Sequence, residues 1–327
     1  MDLAPIAVLI FLSTLEFGVE GGGLSYGFYD KSCPQVEDIV RTGLQIISLT
    51  DPTSPAALLR LMFHDCQVQG CDASILVDAA GKKNLPLEMT STKNFGIRKR
   101  ETISYIKSMV EAVCPEQVSC TDILILAARE AVAMSGGPWI NVPLGRRDSS
   151  STPSYKLADA SLPSANIGVD GMLRIFAKKG MTVKESVAIM GAHTVGITHC
   201  FNLLNRLYRR EGGEARGIEP GFELFLKLSC PQESLTTNSS FVLNDSTTLA
   251  FDNNYYINAM EGHGVLRIDA EMSSDPRTAQ ILAHFAVDQD DFFRTFSSAF
   301  VKLSSSGVLT GNQGVIRRRC NAIDERS

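Results

Sequence analysis

The stretch Leu58–Cys66, LLRLMFHDC, decides how the rest of the chain is read. It is apolar enough to be buried, yet it carries Arg60 and His64. On a helix, residues four apart share one face. Leu58, Leu59, Leu61, Met62 and Phe63 then fill the remaining directions. Burying an unpaired guanidinium costs several kcal/mol, so something must repay it. An imidazole beside a fixed cation has its pKa pushed down and stays neutral, able to accept a proton. Such a pair suits a general base next to a charge-stabilising cation. Taken alone, it also fits a helix edge on which both groups reach to solvent.

Two further stretches carry chemistry. In HDCQVQGCDAS, His64–Ser74, side-chain oxygens come from Asp65, Asp72 and Ser74, and the carbonyls of Val68 and Gly70 fall between them. Cys66 and Cys71 bracket the loop. Oxygen donors in a small pinned loop suit calcium, with an ordinary acidic turn as the alternative. In MGAHTVGITHC, Met190–Cys200, His193 is flanked by Gly191, Ala192 and Gly196, small residues that let a bulky flat group approach. A neutral imidazole on an apolar helix suits axial ligation of haem iron. A core histidine bonded to a backbone carbonyl is the alternative. His199, His263 and His284 have no such setting and read as structural or surface residues.

Length and composition set the frame. The 327 residues suffice for a sizeable core, and 44% hydrophobic with 20% charged residues is ordinary globular composition. The formal charge of −5, without a basic stripe, gives no reason to expect nucleic acid. The run Ala4–Leu15 is too short to span a membrane and fits a secretory leader over residues 1–23, leaving 24–327 as one mature domain. Asp2, Glu16, Glu20 and the lack of a leading Lys or Arg depart from the usual leader, and a buried N-terminal helix is the alternative. The eight cysteines, with no CxxC pair, read as a disulfide framework in an oxidising compartment, and spacing alone leaves every pairing open. Glycosylation triplets begin at Asn238 and Asn244.

The chain reads as mainly α, without repeats. RETISYIKSMVEAVCP, Arg100–Pro115, has amphipathic spacing through Ile103, Ile106, Met109, Val110 and Val113. SCTDILILAAREAVAMSGGP, Ser119–Pro138, reads as a buried helix ended by glycines and proline. Thr182 and Glu185 stand in capping-box register before another, which runs through His193, and Asp288–Ser305 predicts a further amphipathic helix. Ser54 reads as an N-cap with Pro55 in the first turn. Strand signals are sparse, with INVPLG, Ile140–Gly145, as a candidate. Glu211–Asn254 reads as a loop-rich, candidate functional segment.

Taken together, LLRLMFHDCQVQGCDASIL, VSCTDILILAAREAV, VPLGRRDS, MGAHTVG, FDNNYY and GVIRRRC resemble the class III secretory plant haem peroxidases, from Phe28 to Cys320. The resemblance implies a mainly α haem peroxidase fold, with distal and proximal helical halves sandwiching one haem b. It makes His64 the distal acid–base catalyst, Arg60 the distal cation, and Asn94 the amide that orients His64. His193 becomes the axial iron ligand, with Asp269 as its hydrogen-bond partner, and Pro163 marks the aromatic-donor edge. A distal calcium would use Asp65, Val68, Gly70, Asp72 and Ser74, with Glu88 beneath it. A proximal one would use Thr194, Asn244 or Asp245, Thr247, Ala250 and Asp252. The implied disulfides are Cys33–Cys114, Cys66–Cys71, Cys120–Cys320 and Cys200–Cys230.

The chain departs from the family's pattern in places. Gln67 stands where Phe is usual, Met62 where His is common, and Asn244 where the family has an aspartate ligand. Trp139 lies one position early, and the Glu88–Arg98 region needs a one-residue gap. Asn244 cannot both hold an ion and bear a glycan, so Asn238 is the expected glycosylation site. The expected function is reduction of hydrogen peroxide with one-electron oxidation of small phenolic donors. The expected protein is a monomer, secreted to the cell wall or apoplast, without membrane or nucleic-acid partners. Only seven residues follow Cys320, which favours that location over a vacuolar one. A calcium- and haem-binding extracellular module with impaired catalysis is the alternative function. A catalase-like reaction is disfavoured, because His193 stands where catalases use tyrosinate.

Overall fold

Apolar residues spaced three and four apart fold into helices, and the protein is mainly α as the sequence suggests. The computed structural model describes residues 23–78, 87–151, 154–209, 218–232 and 240–323. The leader expected over residues 1–23, except its last residue, and Asn238 lie outside the described residues. Helices α1 (Val36–Thr50), α2 (Ser54–Gln67), α3 (Arg100–Val113) and α4 (Cys120–Met134) form one half. There α2 packs most extensively on α4, and α1 lies against α3 and α4. The short α5 (Tyr155–Ser161) leads to α6 (Val169–Ala177), α7 (Val183–Met190), α8 (Leu204–Tyr208) and α9 (Pro220–Ser229). The chain continues through α10 (Asn254–Met260), α11 (Arg267–Glu271), α12 (Ala279–Val287) and α13 (Gln289–Ser305). In this second half α7 packs on α13, and α10 on α12.

Strands β1 (Ile197–His199) and β2 (Phe241–Leu243) pair antiparallel, with Ile197 opposite Leu243. They make the one sheet among the described residues. The strand expected at Ile140–Gly145 is instead an isolated pairing of Leu144 with Ser25, two 2.9 Å bonds. The segment 211–254 is less loop-like than its composition suggests, because it holds α9 and β2.

Helix α4 is buried on nearly every side and is therefore fixed by polar groups at its start. Ser119 Oγ accepts the Asp122 N–H at 3.1 Å. The Asp148 carboxylate accepts the N–H groups of Cys120 at 3.1 Å and Thr121 at 2.9 Å, placing negative charge at the helix N-terminus. Asp122 in turn holds Arg146 Nη1 at 2.9 Å, both fully buried, and accepts from Tyr29 at 2.8 Å. The Val142–Ser149 motif is thus a brace for α4.

The starts of α2 and α7 differ from each other. At α7, Thr182 and Glu185 form the expected capping box. At α2, Ser54 is already helical and Thr53 precedes it without a side-chain cap. Asp51 accepts the Thr53 N–H instead, at 2.9 Å. The helix expected to run through His193 ends at Met190, and Gly191–Thr194 tighten into one 3-10 turn. Gly191 faces inward, where a Cβ would collide with the Tyr256 hydroxyl and the Phe292 ring.

Cysteines pair as Cys33–Cys114, Cys66–Cys71, Cys120–Cys320 and Cys200–Cys230. Cys120–Cys320 joins the start of α4 to the chain's far end, across 200 residues. In the chain-entropy account a loop of that size stabilises by up to about 5 kcal/mol. Replacing both cysteines by serine is expected to cost ~2–5 kcal/mol in denaturant unfolding. An unchanged midpoint would contradict the bond's structural role.

Candidate active site

Helix α2 turns one face toward a cavity of about 1090 Å³, and Arg60 and His64 lie on that face. His64 Nδ1 lies 2.6 Å from Asn94 Oδ1. Asn94 Nδ2 donates to the Glu88 carbonyl at 2.8 Å, which fixes the amide with its oxygen toward the ring. His64 therefore carries its proton on Nδ1 and keeps a lone pair on Nε2. Arg60 Nε donates to that Nε2 at 3.2 Å, and Arg60 Nη2 donates to the Phe95 carbonyl at 2.9 Å. Burial, then Arg60, push the His64 pKa down to about 3, against the opposing pull of Asn94. Burial also lowers Arg60, to about 10, which leaves it charged at neutral pH.

A second wall comes from the turn after α7. His193 lines the same cavity, and its Nδ1 donates to Asp269 Oδ1 at 3.0 Å. That bond leaves Nε2 as the imidazole's other nitrogen. Asp269 also accepts the Tyr255 hydroxyl at 2.8 Å and the Leu266 N–H at 2.9 Å. Burial works against its charged form, but His193 and these donors hold its pKa below the ordinary value.

The two candidate calcium loops are acidic and cramped. Asp65 Oδ2 accepts the N–H groups of Asp72 and Ala73 at 3.1 and 3.0 Å, while Asp65 Oδ1 is buried without a partner. Ser74 Oγ donates to Glu88 Oε2 at 2.8 Å, while Glu88 Oε1 is buried without one. Burial, Asp72 and Glu88 raise Asp65 well above its usual pKa, and burial raises Glu88 to about 7. Two orphaned carboxylate oxygens, joined through Ser74 and the Asp72–Ala73 backbone, suit a hard cation. No three His, Cys, Asp or Glu side chains converge among the described residues, so carbonyl and hydroxyl oxygens would have to share the coordination.

In the second loop, Thr194 Oγ1 donates to Asp245 at 2.7 Å and to Asp252 at 3.1 Å. Thr247 donates its N–H to Asp245 at 2.8 Å and its hydroxyl to Asp252 at 3.1 Å, and accepts the Ala250 N–H at 2.6 Å. Asn244 is not part of this cluster. Its Oδ1 accepts from Thr198 at 2.7 Å and its Nδ2 donates to the Val195 carbonyl at 3.3 Å. Of the two residues the sequence offered, Asp245 turns toward Thr194 and Thr247 and Asn244 toward β1, the chain bending between them just after β2 ends at Leu243.

The peroxidase family model matches residues 36–288. Arabidopsis thaliana Peroxidase 29 is 56% identical over 305 residues, 92% of this chain and 89% of that protein. Peroxidases 57 and 12 of the same plant are 38% and 40% identical, over 97% and 93% of this chain and 96% and 84% of theirs. The chain belongs to the class III plant peroxidase family.

A peroxidase uses haem, and the cavity fits one. Its walls include Leu59, Phe63, Ile189, Ala192, Val195 and Ile268, an apolar lining for a flat macrocycle. His193, polarised by Asp269, is the imidazole that would hold the iron. Pro163 lines the cavity too. Gln67 does not reach it directly: its Nε2 donates to the Ser161 carbonyl at 3.3 Å, two residues before Pro163.

Several groups in and around the cavity were given no role by the sequence. His199, read as structural or surface, lines the cavity with its ring 5.6 Å from that of Phe95, nearly edge-on. Phe95 acts through a backbone carbonyl, and Tyr255 is one of two adjacent tyrosines. In a proton NMR titration His64 is expected to stay neutral from pH 8 to well below its ordinary 6.5, charging near pH 3. The unfolded chain takes up that proton near pH 6.5, so acid between those values works against the folded state here. A midpoint near 6.5 would contradict the burial.

Proposed function

We propose that this peroxidase reduces hydrogen peroxide with His64 as the proton-transferring group, Arg60 as the fixed cation, and small phenols as electron donors. The observation that supports it most is one cavity lined by the His64–Arg60 pair and by the carboxylate-bonded His193. When bound, haem supplies the redox chemistry, taking oxidising equivalents from peroxide and passing them on one electron at a time. His64 Nε2 accepts a proton from hydrogen peroxide and returns it to the oxygen that leaves as water. Arg60 stabilises the negative charge on that oxygen, at low dielectric and without reorganising, because the Phe95 carbonyl already holds it. Asn94 keeps the second proton on Nδ1 throughout, so the reactive lone pair stays on Nε2. His193 holds the haem, and Asp269 makes it a stronger donor.

Pro163, Phe201 and Leu243 border the cavity, and an aromatic donor would rest against these groups. Two calcium ions complete the reading: one at Asp65, Val68, Gly70, Asp72 and Ser74 above Glu88, the other at Thr194, Asp245, Thr247, Ala250 and Asp252. The protein acts as a secreted monomer in the cell wall or apoplast. The apolar run Ala4–Leu15 and four disulfides support secretion. No helix among the described residues is long and apolar enough to cross a membrane.

His64→Ala is expected to keep the haem spectrum while slowing reaction with peroxide ~10²- to 10⁴-fold in stopped flow. His193→Ala is expected to weaken haem binding itself. A near-normal rate in His64→Ala would defeat the proposed role. For the ions, a calcium chelator is expected to lower the melting temperature and added calcium to restore it; bound at a hundred times its Kd, one ion adds about 2.7 kcal/mol. Asp65→Asn and Asp245→Asn should each remove part of that response, while Asn244→Ala should retain it. Loss of the response in Asn244→Ala would overturn the assignment.

A further inference from the structure

The FDNNYY motif places two tyrosines side by side at the start of α10, and the structure gives them different tasks. The Tyr256 hydroxyl donates to the Val187 and Ala188 carbonyls at 3.1 and 3.2 Å, joining α10 to the end of α7. The Tyr255 hydroxyl donates to Asp269 Oδ1 at 2.8 Å, the same oxygen that accepts from His193 Nδ1 at 3.0 Å. The other oxygen, Oδ2, accepts the Leu266 N–H at 2.9 Å. Tyr255 and Asp269 are each only 3% exposed, so no bulk solvent competes for these bonds. The Tyr255 ring stands edge-on to the His193 imidazole, centroids 5.9 Å apart and planes at 86°.

We propose that Tyr255 is a positioning residue for His193: by sharing Oδ1 of Asp269, its hydroxyl limits how strongly the carboxylate draws the imidazole proton. The effect is electrostatic. A carboxylate that satisfies three donors is a weaker acceptor toward each than one that satisfies two. The more weakly it pulls on Nδ1–H, the less anionic the imidazole becomes, and the poorer a donor it is to iron. A poorer donor favours the ferrous state. Tyr255 therefore sets a level that the His193–Asp269 pair alone would overshoot toward ferric. The inference rests on His193 being the axial ligand.

Tyr255→Phe isolates the hydroxyl, because the ring keeps filling its place and no buried donor is orphaned. Asp269 retains two donors in that variant. The readouts, taken on haem-loaded protein, are the ferric–ferrous midpoint potential and the iron–imidazole stretching frequency of the ferrous form. Tyr255→Phe is expected to raise the ferric-to-ferrous ratio at a fixed potential about three- to tenfold, the scale of one hydrogen bond. Tenfold corresponds to about 59 mV for a one-electron couple. The stretch should move to higher frequency. Placing 3-fluorotyrosine at position 255, a stronger donor of the same shape, should shift both readouts the opposite way and decides the matter if Tyr255→Phe fails to fold. Asp269→Asn serves as the reference and should raise the potential. If Asp269→Asn shifts the potential while both position-255 replacements leave it unmoved, or shift it in the same direction as each other, the inference is overturned. If Asp269→Asn also leaves it unmoved, the axial reading of His193 falls, and this inference with it.

Discussion

Everything on the α2 side of the cavity depends on one proton staying on the Nδ1 atom of His64. That nitrogen meets an amide oxygen whose own orientation is fixed by the Glu88 carbonyl. The other nitrogen is then left with a lone pair, and a half-buried guanidinium sits against it. Burial and then Arg60 lower the His64 pKa, and together they outweigh Asn94, which raises it, so the ring stays neutral. The question of why an apolar helix carries a cation and an imidazole has a physical answer. Arg60 is paid for by the Phe95 carbonyl and His64 by Asn94, so neither is an unmet buried group.

The same groups tie the site to the rest of the fold. Glu88 offers its carbonyl to Asn94 and its carboxylate to Ser74, so one residue joins the Asn94 amide to the acidic loop after Cys66. Lys93, next to Asn94, donates to the Asp159 and Leu162 carbonyls at 2.5 and 2.6 Å. Gln67 reaches Ser161 in the same neighbourhood. Loop, α5 and α2 thus hold one another around the mouth where Pro163 lies. The two histidines owe their different chemistry to their partners. An amide leaves His64 a modest base with a defined lone pair, while a carboxylate makes His193 a strong donor.

What the sequence shows and what it conceals follow from how each group acts. The helices were legible because burial of one face writes a three- and four-residue spacing into the chain, as at Ile103, Ile106 and Val110. Arg60 and His64 were legible because polar residues interrupt that spacing. Peroxidase membership was legible because the motifs around both histidines occur together and in order. Asn94 sits on a three-residue 3-10 turn, too short for any period, so only the resemblance pointed to it. Phe95 contributes a carbonyl, which no side-chain pattern records. Asn244 and Asp245 are adjacent polar residues in LNDS, and only backbone direction separates their roles. Small residues around His193 were read as making room for a ligand. Ala192 and Gly196 do line the cavity, but Gly191 faces Tyr256 and Phe292, a packing demand that looks identical in sequence.

The site turns on a neutral His64 with its proton on Nδ1 and a lone pair on Nε2. Neutron diffraction from deuterium-exchanged crystals near neutral pH measures this directly. Deuterium is expected on Nδ1, directed at Asn94 Oδ1, and none on Nε2. Deuterium on Nε2, alone or together with Nδ1, would contradict it.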